Sequence, residues 1–330
     1  MADTEQKQIL DKILSLNDIL WEGRIVKTKL DRWTANFKTE EEQVAALYLL
    51  SKFMFFNERC IRMLLEALYR DLYRYPIIRQ LREDNGNTLD ETLIETEFKK
   101  VLDATLFECV GTNSESSTYL QYPFRQICHL HEYHFRPYNW TIHPITGQDV
   151  RVARAIRYCV FIDDFCGTGQ QVTDNKEVKE KIDFYRSNYP GIRIYYYTLI
   201  STLNGKEHVR NTMGLFDEVD SVIDLDETFE CFSDQSRVFE KGCLFDKNVT
   251  EQFCRDYGKE LMKHYLSNVV RMAGPVQIIE QAAEYHSLGY NNCQLLVGMH
   301  HNVPDNTLPI IWYDEEHALW NPIFKRAKKI

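Results

Sequence analysis

The stretch Arg157-Tyr-Cys-Val-Phe-Ile-Asp163-Asp164-Phe-Cys-Gly167-Thr168-Gly169-Gln170-Gln171 decides how the chain is read. Tyr158 to Ile162 is an unbroken apolar run of strand length, built of the β-branched and aromatic residues that suit a strand buried on both faces. Two carboxylates end it. A Gly-Thr-Gly turn then opens a helix, expected over residues 172–187, with Val172, Val178, Ile182 and Tyr185 as its apolar stripe. Arg193–Ile200 reads as a second buried strand. Strand, loop, helix and strand in quick succession make a βαβ unit, hence a parallel sheet and an α/β fold.

Working outward, Leu106–Val110 reads as an earlier strand feeding the polar loop Gly111–Thr118, and Gln294–Met299 as a later one. Residues 250–289 have helical periodicity. The first hundred residues are helical too. Thr39-x-x-Glu42 has the form of a capping box opening a helix through Val44, Leu47, Leu50 and Met54. A second run, 58–74, puts Ile61, Leu64, Leu65, Leu68 and Leu72 on one face and Arg59, Arg62, Arg70 and Arg74 on others, within reach of Glu58, Glu66 and Asp71. Pro76 and the segment 83–88 break the pattern. The expected division is a helical domain over 1–100 and an α/β domain over 101–330 with a C-terminal helical and loop extension.

Composition sets the bounds. The chain has 330 residues, 39 Lys+Arg against 49 Asp+Glu, a net charge of −10, and 44% apolar and 27% charged residues, which excludes a disordered or fibrous protein. No apolar window reaches membrane-spanning length, and residues 1–15 are too polar for a secretory signal. Nine cysteines without CxxC spacing point to reduced thiols and a cytoplasmic location. The acidic balance argues against unaided nucleic-acid binding, since phosphate affinity comes mostly from Lys and Arg. Thirteen basic and twenty acidic residues follow position 200. Nine of those acids lie in 215–240, expected as a solvated loop and helix face, or as a patch for a basic partner. Cys128, His129, His131, His134 and His143 match no zinc spacing and read as part of a packed aromatic loop. GxSxG, HExxH and GxxxxGK[ST] are absent from the sequence.

In an open α/β sheet, ligands bind outside the carboxyl ends of the strands, so the DD–GTG junction is where a site is expected. Glycines let the backbone approach a ligand closely, unpaired amides hold phosphate, and carboxylates suit ribose hydroxyls or hydrated Mg²⁺. Together they form a cradle for ribose 5-phosphate. A plain acidic turn after a strand is the weaker reading.

FIDDFCGTGQQ resembles the phosphoribosyl diphosphate (PRPP) binding motif of type I phosphoribosyltransferases. Cys166 and Gly167 stand where that motif more often has small hydroxylic residues, and Gln170-Gln171 where Gly-Thr is common. The wider chain resembles the phosphoribosyltransferase-like proteins of bacterial conflict and anti-phage systems, some of which accompany reverse transcriptases as retron effectors. Carriers of this likeness are Trp33-x-x-x-Phe37 with the LYLLSKF that follows, Ser116-Ser-x-x-Leu-x-Tyr-x-Phe124-Arg125, the FIDDFCGTG loop and His301-Asn-Val-Pro-Asp-Asn306-Thr-Leu-Pro309-Ile-Ile-Trp312.

The resemblance implies a Rossmann-like sheet of phosphoribosyltransferase type, with a helical domain before it and helices after it. Asp163 and Asp164 would hold the ribose and act in catalysis, while Cys166, Gly167, Thr168, Gly169, Gln170 and Gln171 bind the 5-phosphate. Ser116, Ser117 and Arg125, and the stripe Arg151, Arg154 and Arg157, would face the diphosphate. His301, Asn302, Asn306 and Thr307 would line the pocket. Mg²⁺ is expected with the diphosphate and no metal on protein ligands alone. The implied chemistry makes or breaks a bond at C1′ of PRPP or a nucleotide. A non-catalytic sensing subunit of a defence complex is the alternative. Implied partners are a defence-system protein or a nucleoprotein (a reverse transcriptase with its nucleic acid), with room for a homo-oligomer and no membrane.

Overall fold

The computed structural model describes residues 2–110, 116–135, 156–269, 275–314 and 320–326. The chain divides into two compact units, Met1–Cys60 with Asp226–Lys328, and Ile61–Leu225 with Lys329–Ile330. This division differs from a cut near residue 100.

The first unit begins with α1 (Ala2–Ile19), α2 (Lys27–Thr34) and α3 (Glu40–Leu50). The expected capping box opens α3: Glu42 N–H donates to Thr39 Oγ1 and Thr39 N–H to the Glu42 carboxylate, both at 3.2 Å. The helix stops at Leu50, short of Met54. Met54–Phe56 is instead strand β1, followed by α4 (Glu58–Ala67). Its partner is distant in sequence and invisible to local periodicity: Phe55 lies opposite Gly298 in a parallel two-stranded sheet.

The second unit carries the four-stranded sheet. α4 runs into a π-helical segment, Leu68–Arg74, and then α5 (Tyr75–Asp84) and α6 (Glu91–Asp103). Pro76 sits in the first turn of α5, where its missing N–H is harmless, so it does not end the helical run as expected. Next come β2 (Thr105–Cys109), α7 (Ser116–Ile127), β3 (Tyr158–Cys166), α8 (Gln170–Thr173), α9 (Lys176–Asn188), β4 (Arg193–Thr202), α10 (Leu203–Asn211) and β5 (Glu218–Leu225). The four strands are parallel in the order β2-β3-β4-β5. The helices from Ile61 to Asp103 belong with this sheet: the Tyr73 and Thr105 hydroxyls bond at 2.7 Å, and Tyr73 packs on Phe107.

β5 corrects the reading of the acidic run. Val219, Ser221 and Leu225 are buried along it, a strand alternation beneath the charges. The run's carboxylates are partly neutralised from below, because buried Lys206 reaches Asp220 at 3.1 Å and Asp224 at 2.6 Å.

The chain then returns to the first unit as α11 (Lys247–His264), a π-helical segment Tyr265–Val269, α12 (Val276–Tyr285), β6 (Val297–Met299) and α13 (Pro309–Trp312). The core of that unit gathers Trp21, Trp33, Phe37, Leu49, Leu50 and Trp312. Trp33 Nε1–H donates to the Ile310 carbonyl at 2.8 Å. All nine cysteines are free. Among the described residues no helix is long and apolar enough to cross a membrane.

Candidate functional site

The candidate site lies at the carboxyl edge of β2 and β3. Side chains alternate along a strand, so consecutive residues face opposite ways. On β2, Phe107 meets the side of the sheet that carries α7, with its ring centroid 5.3 Å from that of Phe124. Leu106 instead joins Val178, Ile182 and Tyr185 of α9 in the opposite core. The connection leaving β2 therefore enters a helix on one face, and the connection leaving β3 leads to a helix on the other. In open α/β sheets ligands bind outside the carboxyl ends of the strands. β3 places Asp163, Asp164 and the 167–169 turn there.

Asp163 and Asp164 are both buried, at 6% and 4% exposure. Tyr196 O–H donates to Asp163 Oδ2 at 2.9 Å, and the Asp164 N–H donates to Asp163 Oδ1 at 3.0 Å. Burial, reinforced by the neighbouring Asp164 charge, holds the Asp163 carboxyl well above the usual range, against the pull of those two donors. The pair is thus poised to keep a proton between its members. Cys166 is buried, and desolvation pushes its thiol up to about 11.

The turn after β3 is fixed from behind. Gly169 adopts φ +76°, and a Cβ there would stand 2.7 Å from the Gly205 carbonyl oxygen and 2.8 Å from Val209 Cγ2. A Cβ on Gly205 would reach within 2.3 Å of the Gly167 carbonyl oxygen. Thr202 joins the two, donating from Oγ1 to the Gly167 carbonyl while accepting the Gly205 N–H. Only glycine allows this approach of the turn to the start of α10.

The helix behind the turn differs from expectation. It lasts four residues, Gln170–Thr173, with the Val172 and Thr173 amides returning to the Gly169 carbonyl. A new helix then starts at Asn175, whose side chain caps the Glu177 and Val178 amides. A long helix dipole therefore does not point at the turn. The amides of Gly167, Thr168 and Gln171 meet no acceptor among the described residues. Thr168 Oγ1 accepts from the Gln170 N–H at 3.4 Å, and Gln171 is exposed.

Of the other expected residues, Ser116 and Ser117 lie in the first turn of α7, at the carboxyl end of β2, while 111–115 lie outside the described residues. Arg125 is half-buried farther along α7, its guanidinium 5.8 Å from the Tyr122 ring centroid. Arg157 precedes β3 at the opposite, amino edge, and Arg151 and Arg154 lie outside the described residues. His301, Asn302, Asn306 and Thr307 belong to the first unit. There Thr307 Oγ1–H donates to the Val297 carbonyl at 2.6 Å. The Asn306 amide donates to the Tyr290 carbonyl at 3.3 Å. Both are thus engaged in fastening the β6 region. Buried His134 faces the Thr105 carbonyl at 3.0 Å, and His143 lies outside the described residues. Among the described residues no three His, Cys, Asp or Glu side chains converge on a metal position.

Sequence reasoning missed a charged group behind the end of β2. Glu108, buried in the strand, accepts from Tyr185 O–H. Lys181 Nζ lies 3.4 Å from the Cys109 carbonyl, 3.3 Å from Glu177 and 3.9 Å from Glu108. Burial pushes the Glu108 carboxyl up to about 7 although Lys181 and Tyr185 act the other way, and the Glu177 charge adds to the rise. A signal was available: 178, 181, 182 and 185 share one helix face, so Lys181 falls on the apolar stripe.

The sheet is parallel, and its second strand carries the paired carboxyls two residues before its end at Cys166, where the glycine turn begins. The model of the family PRTase-CE (phosphoribosyltransferase, conflict effector) matches residues 30–326, and the chain belongs to this family. No curated protein and no solved structure matches it.

Proposed function

We propose that the chain is a defence effector whose candidate site binds a ribose-5-phosphate ligand, PRPP or a nucleotide, with Mg²⁺, and acts at the C1′ bond. The observation that carries this reading is the carboxyl end of β3, where buried Asp163 and Asp164 stand beside the Gly167–Gly169 turn, whose Gly167 and Thr168 amides meet no acceptor among the described residues. The 5-phosphate takes the amides of the turn, with the Thr168 hydroxyl beside it, and the ribose hydroxyls meet the aspartates. Ser116, Ser117 and Arg125 are assigned to the diphosphate from the β2 side.

In this reading Mg²⁺ arrives on the diphosphate. When bound there, Mg²⁺ would offset diphosphate charge. The chain's own contribution is positioning: a fixed turn for the phosphate and a buried acid pair that accepts or donates hydrogen bonds as the ribose requires. The family's description as a conflict effector supports the defence setting, with a defence-system protein or a nucleoprotein as partner.

The experiment incubates the chain with Mg²⁺, PRPP and mixed nucleotides, and follows pyrophosphate and free bases. Asp163→Asn/Asp164→Asn serves as control. Turnover that disappears in the control is expected. Ligand binding without turnover, with candidate partners present, would favour the second reading, a sensing subunit, which Gln170-Gln171 and the four-residue α8 support. No binding in the wild type would refute both.

A further inference from the structure

The hairpin of α5 and α6 holds a cavity of about 530 Å³, within the second unit and built of residues unrelated to the β3 turn. Its walls are Tyr75, Ile78, Arg79, Arg82 and Glu83 from α5, with Asn87 and Leu89 from the following turn. The five α5 residues follow helical spacing, so they form one face of that helix. α5 buries no side chain completely, although it carries Tyr75, Ile77, Ile78 and Leu81. Tyr75 is 51% exposed and Leu89 is 78% exposed, so an aromatic ring and an aliphatic side chain stand open at a concave surface.

The charges complement that apolar floor. Arg79 is exposed and forms no ion pair among the described residues. Arg82 donates from Nε to the Thr88 carbonyl at 3.0 Å, a bond that anchors the guanidinium at the cavity wall. Glu83 leaves the lining with a net positive charge. Seven residues of helix rise separate Tyr75 from Arg82, about 10 Å along α5. That is the span from a base to the far phosphates of a nucleotide. The π-helical segment Leu68–Arg74 runs straight into this face. Such segments are uncommon and concentrate at functional positions.

We propose that the α5–α6 hairpin carries a second binding site, for a nucleoside polyphosphate, with the base stacked on Tyr75 and the phosphates held by Arg79 and Arg82. Asn87, at φ +59° in the turn, faces the cavity with an amide suited to a base edge. Aromatic stacking and charge-assisted hydrogen bonds to phosphate are each strong enough to be read individually by substitution.

The test uses the full-length chain and fluorescent ethenoadenosine triphosphate, followed by anisotropy in an Asp163→Asn/Asp164→Asn background. Saturable binding is expected there. Arg79→Glu/Arg82→Glu should weaken it at least about tenfold, and Tyr75→Ala about tenfold, while Tyr75→Phe retains it. Tyr75 and Arg79 are exposed, so circular dichroism should match the parent, with a small melting shift from the lost Arg82–Thr88 bond in the arginine reversal. Photo-crosslinking with 8-azido-ATP should label residues 75–89. Binding unchanged by the arginine reversal, or no saturable binding in the aspartate background, overturns the second site. Binding lost only through Asp163 and Asp164 also overturns it, and leaves the proposed function standing.

Discussion

Glu108 offers a sharp test of the electrostatics behind the candidate site. An acid whose carboxyl is pushed up on folding binds a proton more tightly in the native than in the unfolded chain. Stability therefore falls as pH rises between the two values, and it is highest below both. Here the carboxyl moves from 4.5 to about 7 in a fully buried position. At roughly 1.36 kcal/mol per unit, the native chain gives up about 3 kcal/mol between pH 4.5 and 7.5 through this group alone. Asp163 contributes in the same direction, so total slopes do not isolate Glu108. The difference between wild type and Glu108→Gln does. Urea unfolding at half-unit intervals from pH 5 to 8 should show Glu108→Gln gaining on wild type by about 3 kcal/mol as pH rises, with the change centred below pH 7. Lys181→Met removes the cation that favours the charged carboxylate, so it should move the wild-type decline to higher pH. A stability difference between wild type and Glu108→Gln that is the same at pH 5 and pH 8 would refute the reasoning.

Four further substitutions probe the fold around the site and elsewhere. Gly169→Ala combines a left-handed backbone with a Cβ 2.7 Å from the Gly205 oxygen, whereas Gly191→Ala has the left-handed backbone with nothing within 4 Å. Both should lower the melting temperature, Gly191→Ala by about 1–2 kcal/mol of stability and Gly169→Ala by more. Equal losses would mean that the turn is not pressed against α10. Tyr196→Phe removes the hydroxyl that donates to buried Asp163, and should cost about 1–3 kcal/mol at alkaline pH, with a smaller loss as pH falls and the carboxyl takes up its proton. A loss that does not vary with pH would argue against the bond to the charged form. Thr39→Ala removes half of the capping box of α3 and should cost about 1 kcal/mol in urea unfolding, without altering any ligand binding by the sheet.

The site was legible in sequence where its information is local. An apolar run, two acids and a glycine turn occupy consecutive positions, and β3, the turn and β4 follow within the same window. The capping box at Thr39 is local in the same sense. What could not be read was set by partners far along the chain. β1 is three residues, Met54–Phe56, and exists because Val297–Met299 lies beside it. β5 was hidden for another reason: its charges suggested solvent, and the neutralising Lys206 sits on a different element. Periodicity carried the stripe of α9 correctly but joined it to α8, because Asp174-Asn175 was not weighed as a stop and a new cap. Lys181 was passed over since a lysine in a Lys- and Glu-rich helix ordinarily faces water. The helices between Ile61 and Asp103 looked like part of a separate domain, because composition says nothing about which sheet a helix covers.

The acidic balance of the chain acquires a different meaning at the candidate site. Two aspartates beside the turn proposed to hold phosphate would repel a phosphorylated ligand if both were fully charged, and an overall −10 would add to that repulsion. Burial changes the balance. Asp163 is held above its usual range by desolvation and by Asp164, so the pair resists carrying two charges. Behind β2, the buried Lys181 is set against Glu177 and against Glu108, whose own carboxyl is pushed up to about 7. The strand ends thus carry less negative charge than their residue types suggest, and the amides of Gly167, Thr168 and Gln171 need only overcome that reduced field. Low dielectric around the pair strengthens any hydrogen bond it makes to a ribose hydroxyl for the same reason that it suppresses the second ionisation. Under the proposed function, an acidic chain is reconciled with an anionic ligand through where its acids are buried, not through their number.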